Sequence, residues 1–260
     1  MYSFMNGIFS DKTGGNVFNC FGPWHWFYII FTIGTIALAV LLFKNKTQHT
    51  KTTVVRVFID IAFVLYMADF FLMPFAYGEI DVDKLPFHAC TAMCVMCFIC
   101  NNNKFFRRYR LNYALIALIS GLMYVVYPSG VMAYEIHPLS YRVIQTMLFH
   151  SIMVIHCVLA IIFDHKGLNI KKFYREVVIL LIMTAWAFIG NTLYSGSAEN
   201  GYSRDFNWFF IKRDALYVLP ESISPYIAPF ANIVAFLGME LIIYLIYYIV
   251  KKQIEKKSKI

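Results

Sequence analysis

Cys90 closes the apolar run Leu85-Pro86-Phe87-His88-Ala89-Cys90, and His150 ends another, Met147-Leu148-Phe149-His150. An ionisable group inside a membrane span marks a function by default, because burying it in hydrocarbon is costly. A thiolate is the strongest nucleophile among ordinary side chains, but a free thiol is mostly protonated at neutral pH and needs a base or a cationic neighbour. Histidine is the usual base, since its pKa lies near the working pH. Pro86 suits the first turn of a helix, where its missing N–H would be unpaired anyway. Cys90 is therefore expected near a helix N-terminus, whose positive dipole end favours a thiolate. On a regular helix His88, two positions earlier, points about 160° away from Cys90. His150, from another helix, is the better candidate base. Cys90, Cys94 and Cys97 also form a stripe on one helix face, which with a histidine could ligate zinc. Small residues recur on helix–helix seams in the same way, and no metal is expected.

The elements that must position these residues are membrane helices. Of the 260 residues, 60% are hydrophobic and only 15% charged, a balance suited to a membrane helix bundle and not to a soluble domain. Crossing about 30 Å of hydrocarbon takes roughly 20 apolar residues. Seven such runs are expected, at 24–43, 54–77, 86–101, 111–127, 144–163, 174–194 and 227–250. The fold class is thus all-α, a polytopic bundle of about seven transmembrane helices forming one domain over 1–260. The first run has no basic segment before it and no small-residue cleavage site, so it reads as an uncleaved signal-anchor. Five of the six cysteines lie within spans, which excludes a disulfide framework.

Charge orients the bundle. Lys44, Lys46, Lys51 and Arg56 surround the first connection, Lys104, Arg107, Arg108 and Arg110 the third, and Lys166, Lys171, Lys172 and Arg175 the fifth. The tail carries Lys251, Lys252, Lys256, Lys257 and Lys259. Basic connections mark the cytoplasmic side, so the N-terminus is expected outside and the C-terminus inside. The net charge of +8 is then mostly a topology signal, and nucleic acid is not an expected partner. In this orientation Cys90 and His88 open the third span at the outer surface. His150 lies about 9 Å into the fifth at 1.5 Å per residue. Asp69, Asn191 and Asn232 reach the same level from the second, sixth and seventh spans, so several helices bring polar groups to one depth. Arg56 and Asp60 are spaced for an i,i+4 ion pair elsewhere on the second span. Glu240 and His156 fall at about one depth near mid-membrane, where a charge must be partnered or neutral, so a structural contact between them is expected, with proton handling as the alternative.

The Leu85–Cys90 run resembles the LPLHLC signature of the YwaF family of bacterial integral membrane proteins. Phe21-Gly22-Pro23-Trp24-His25-Trp26 is similar to that family's opening before its first span. Phe149-His150 resembles its fifth-span histidine position, and Asn207-Trp208-Phe209-Phe210-Ile211-Lys212 its N-Y-x-F-L segment. Arg213 departs from the pattern, standing where the family usually has proline. A metazoan relative of that family is a transmembrane acyltransferase acting on ether lysophospholipids through a cysteine and a histidine. The resemblance implies the same roles for Cys90 and His150, with membrane lipids, a lysophospholipid and an acyl-donor lipid as partners and no cofactor. It also implies a multi-pass protein of the bacterial cell membrane.

The expected activity is therefore acyl transfer or acyl hydrolysis on phospholipid or lysophospholipid through an acyl-cysteine. Cys90, His150 and His88 are the candidate catalytic residues. Asn207 or Asn191 would serve as an oxyanion donor, and Asp69 and Asn232 would line the substrate site. The alternative is an ion or small-solute transporter using intramembrane Asp, Glu and His, with Cys90 only structural. A retinal protein is disfavoured, because the seventh span has no lysine for a Schiff base.

Overall fold

The computed structural model describes residues 17–77, 82–132, 136–164, 167–194, 206–213 and 219–257. Among them the regular structure is helical throughout. The long elements are α1 (Pro23–Phe43), α2 (Gln48–Tyr77), α3 (Ala89–Asn102), α4 (Arg110–Val126), α5 (Tyr141–Phe163), α6 (Tyr174–Leu193) and α7 (Ser224–Lys257), joined by short turns. One helix thus falls on each expected apolar run. Two boundaries move in a way that matters. α2 starts at Gln48, before its apolar run. α3 starts at Ala89, leaving His88 in the turn before the helix and Cys90 in its first turn.

Five stretches are long and apolar enough to cross a bilayer: Pro23–Phe43, Phe106–Met132, Tyr141–Phe163, Ile170–Leu193 and Ser224–Gln253. α2 has the length, at 30 residues, but carries Arg56, Asp60 and Asp69. α3 is apolar, but its 14 residues extend only about 21 Å at 1.5 Å each.

The chain divides into two compact units. One takes the described residues up to Pro86 and from Cys90 to Asp164; the other takes Phe87–Ala89 and the described residues from Gly167 onward. In the first, α5 is the central helix, packed by α1, α2 and α4. Its buried positions go all the way round, including Val143, Met147, His150, Met153, Ile155, His156 and Leu159. Ser140 caps it, accepting the Val143 N–H at 3.3 Å. α1 is the opposite case. Only His25, Tyr28, Thr32 and Ala39 are buried, while Trp24, Phe27, Ile30, Ile33, Leu38 and Leu41 are exposed, as a helix turning most of its surface to lipid requires. Lipid tails are as apolar as leucine, so helix association here relies on close packing and hydrogen bonds. Gly121 of α4 supplies one such approach: a Cβ there would stand 2.9 Å from the Met153 side chain.

Polar ties fix the helix ends of this unit. The Phe21 N–H donates to His25 Nδ1 at 2.8 Å, so Nε2 carries the proton and donates to the Val125 carbonyl at 2.7 Å. Arg110 holds Asp164 through two nitrogens at 2.6 and 2.9 Å, linking the start of α4 to the end of α5. The Arg56–Asp60 pair forms at 3.5 Å, and Asp60 also accepts from Asn102 of α3 at 2.7 Å.

In the second unit α6 and α7 pack together and against the short turn Trp208–Phe210. The first turns of α7 hold Pro225 and Pro229. Pro229 lacks the N–H that would bond the Pro225 carbonyl, a cost kept low by its place near the helix start. The Tyr244 hydroxyl donates to Glu176 at 3.0 Å.

Candidate functional site

Within the first unit, the N-terminal turn of α3 sets the position of Cys90. Cys90 is the second residue of that helix, where the backbone N–H groups have no partner within the helix. That is the arrangement by which a helix start stabilises negative charge. Cys90 is half-buried, whereas Cys94, Cys97 and Cys100 of the same helix, and Cys157 of α5, are buried. The Cys97 thiol of α3 has the Cys157 thiol of α5 as its neighbour. Of the span cysteines, Cys90 is thus the least buried.

His150 is 4% exposed, in the N-terminal half of α5. Its Nδ1 lies 2.8 Å from the Thr146 carbonyl one turn back. A carbonyl only accepts, so Nδ1 carries the proton and a neutral ring presents its lone pair at Nε2. This is the tautomer a general base needs. The Tyr124 ring stacks on the imidazole, with centroids 3.9 Å apart and planes 10° from parallel. Tyr124 is also an electrostatic neighbour of Cys90, Asp83 and Arg142. Tyr124 therefore stacks on the imidazole and lies within electrostatic range of the thiol.

Asp69 completes a second polar group in the same unit. It is 2% exposed; Lys84 approaches one carboxylate oxygen at 3.1 Å and the Tyr141 hydroxyl donates to the other at 2.9 Å. The Tyr66 hydroxyl donates to the Lys84 carbonyl at 3.0 Å, and Tyr66 has Cys90, Cys94 and Asp69 as electrostatic neighbours. Lys84 is in turn an electrostatic neighbour of Cys90. Tyr66, Lys84 and Tyr124 were missed by sequence reasoning. For Tyr66 a signal exists: it precedes Asp69 by three residues and so shares its helix face.

The remaining candidates belong to the second unit. His88 packs edge-on against Trp208, with centroids 6.4 Å apart. Phe87 lies against Trp186, Trp208 and Tyr194 at 5.0, 4.9 and 5.9 Å. Three asparagines organise the turn that carries Trp208. Asn191 accepts the Trp208 N–H and donates to the Trp208 carbonyl, both at 3.0 Å, and its second N–H goes to Ala187 at 2.8 Å. Asn207 accepts the N–H groups of Lys212 and Arg213 and donates to the Arg213 carbonyl. Asn232 donates to the Phe209 and Phe210 carbonyls, each at 3.0 Å. Those two phenylalanines have φ of 55° and 52°, a left-handed conformation uncommon outside glycine, asparagine and aspartate. Such backbone persists only where surrounding bonds over-determine it. The three asparagines supply those bonds, and Asn191 spends both of its N–H groups on backbone carbonyls.

Among the described residues no group of three or more His, Cys, Asp and Glu side chains is arranged to hold a metal ion. What the helices define is an integral, multi-pass membrane protein with a cysteine, a histidine and a buried carboxylate among apolar helices. A sequence model of the TMEM164 family, a family of membrane proteins, matches residues 20–253, and the chain belongs to that family. No curated protein and no solved structure matches it.

Proposed function

We propose that the protein transfers acyl chains between membrane lipids through an acyl-cysteine on Cys90, with His150 as the base. The observation that carries this reading is the pairing around Tyr124. The ring of Tyr124 stacks on a histidine whose lone pair is at Nε2 and lies within electrostatic range of a half-buried cysteine at a helix start. The resemblance of Leu85–Cys90 to the YwaF signature points to the same two residues.

In the first half-reaction Nε2 of His150 takes the Cys90 proton, and the thiolate attacks the ester carbonyl of a phospholipid. The tetrahedral intermediate collapses, breaking the ester C–O bond. His150 returns its proton to the departing lysolipid oxygen and leaves a thioester on Cys90. In the second, His150 takes the proton of a lysophospholipid hydroxyl, or of water, which attacks the thioester and frees the thiol. The backbone N–H groups at the start of α3, those of Cys90 and Thr91 among them, are the donors proposed for the developing oxyanion. The site belongs to the outer leaflet if all seven helices span the membrane with the N-terminus outside, which the alternation of basic connections favours. His88, Asn191, Asn207 and Asn232 then act by shaping the segment around Trp208.

The test is turnover in reconstituted vesicles. The wild type should move labelled acyl chains from phospholipid to lysophospholipid, or release fatty acid, and Cys90→Ser should abolish this while remaining folded. A hydroxyl is far less acidic than a thiol, and serine is close enough in size to keep the packing. The second reading, an ion or solute transporter, draws on the buried Asp69 and Glu240. A wild type without lipid turnover across head groups and chain types, but with a flux indifferent to Cys90, would replace the first reading by the second.

A further inference from the structure

Glu240 lies near the middle of α7, one helical turn from Tyr244, and has no exposed surface. Among the described residues neither of its carboxylate oxygens has a hydrogen-bond partner. Its electrostatic neighbour is a second carboxylate, Glu176 in the first turn of α6, which is equally buried and accepts the Tyr244 hydroxyl at 3.0 Å. Two buried carboxylates thus share one neighbourhood of the second unit. The acyl-transfer reading uses neither of them.

This arrangement is unfavourable as it stands. An ionised carboxylate without a donor loses its hydration and gains nothing in return. A proton on Glu240 removes the charge but adds a buried hydroxyl that itself needs an acceptor, and it still leaves an oxygen unbonded. A packing role predicts an apolar residue or glutamine there, since exchanging a buried ionic group for a neutral one of similar volume is commonly neutral or stabilising. A small cation answers both requirements at once. It takes carboxylate oxygens as ligands and cancels their charge, the chemistry by which hard cations are held.

We propose that Glu240 and Glu176 form an intramembrane binding site for a small inorganic cation, liganded through their carboxylate oxygens beside the Tyr244 hydroxyl. Sodium, potassium, magnesium and calcium ions share this chemistry, and the experiment separates them. The proposal is independent of lipid acyl transfer, and its test reads binding without turnover.

Full-length protein in nanodiscs is melted in choline chloride, with each of the four metal chlorides exchanged in at matched ionic strength. One ion is expected to raise the melting temperature saturably. Equilibrium binding of that radiolabelled ion to the wild type should reach a single site per chain. Glu240→Gln should melt no lower than the wild type in choline chloride, yet bind the ion at least about thirtyfold more weakly, as loss of a buried charged partner requires. Glu176→Gln should do the same, which keeps the test sharp if Glu240→Gln does not fold. Tyr244→Phe should weaken binding less than either. A wild type that binds no metal ion, or an ion response undiminished in both glutamine variants, would overturn the site.

Discussion

Asn191→Ala tests whether the turn bearing Trp208 is held as the hydrogen bonds indicate. Trp208 is fully buried, so neither its N–H nor its carbonyl has water to turn to. In the wild type one amide side chain answers both, with two bonds of 3.0 Å. Alanine removes the acceptor and the donor together. A buried polar group that loses its partner costs about 1–3 kcal/mol, so loss of both bonds costs up to about 6 kcal/mol. The better helix propensity of alanine returns about 0.5 kcal/mol, and loss of the Ala187 bond is minor, since that carbonyl keeps its place in the α6 ladder. The net expectation is a destabilisation of about 2–5 kcal/mol. For a chain of this size each kcal/mol moves the melting temperature by about 2–4 °C, so the shift is about 4–20 °C. The assay is thermal unfolding in nanodiscs, followed by tryptophan fluorescence, with Thr192→Ala as the control. Thr192 is exposed and its hydroxyl bonds only its own helix, at the Phe188 carbonyl, so its loss should stay within about 0.5 kcal/mol. An Asn191→Ala variant that melts with the Thr192→Ala control would refute the reasoning, because the clamp would then contribute nothing measurable.

Other consequences follow from the same geometry. Gly190→Ala would put a Cβ 2.5 Å from two ring atoms of Phe87, which cannot yield because Trp186 and Trp208 pack against it. Overpacking of this kind costs about 1–3 kcal/mol, read as a lower melting temperature, and an unchanged one would show that the aromatic group is loosely packed. Half-buried Cys90 should react with a thiol probe faster than buried Cys94 or Cys97, with His150→Ala slowing the reaction. Equal rates at all three, resolved by mass spectrometry, would leave Cys90 a packing residue. In a Cys20→Ser background, a cysteine at Glu221 should be labelled by an impermeant reagent in intact cells and one at Lys104 should not. The reverse pattern would invert the orientation and move the site to the inner leaflet.

Helix existence was legible along the chain, because apolar runs and their basic connections are local features of the sequence. The run lengths and the scarcity of charge determine a multi-pass helical membrane protein, since only helices and closed barrels satisfy the backbone in hydrocarbon and barrel strands are shorter and alternate in polarity. Pro86 pointed to a helix start close by, but the helix begins three residues later, at Ala89, and that puts Cys90 in its first turn. Sequence alone could not say which residues surround that thiol. The partner of Asp69 proved to be Lys84, from a short turn 15 positions on, and His150 stacks on Tyr124 from another helix. Those pairings depend on helix rotation and depth, which interhelical packing sets and no single span encodes. The asparagines make the same point. By type Asn191 and Asn207 suit an oxyanion, yet the left-handed backbone at Phe209 and Phe210 engages their hydrogen bonds and those of Asn232 in holding one turn. Residue chemistry and helix count are written in the chain; the partner each polar group finds is decided by the fold, because inside the bundle an unmet donor or acceptor has no water to accept it.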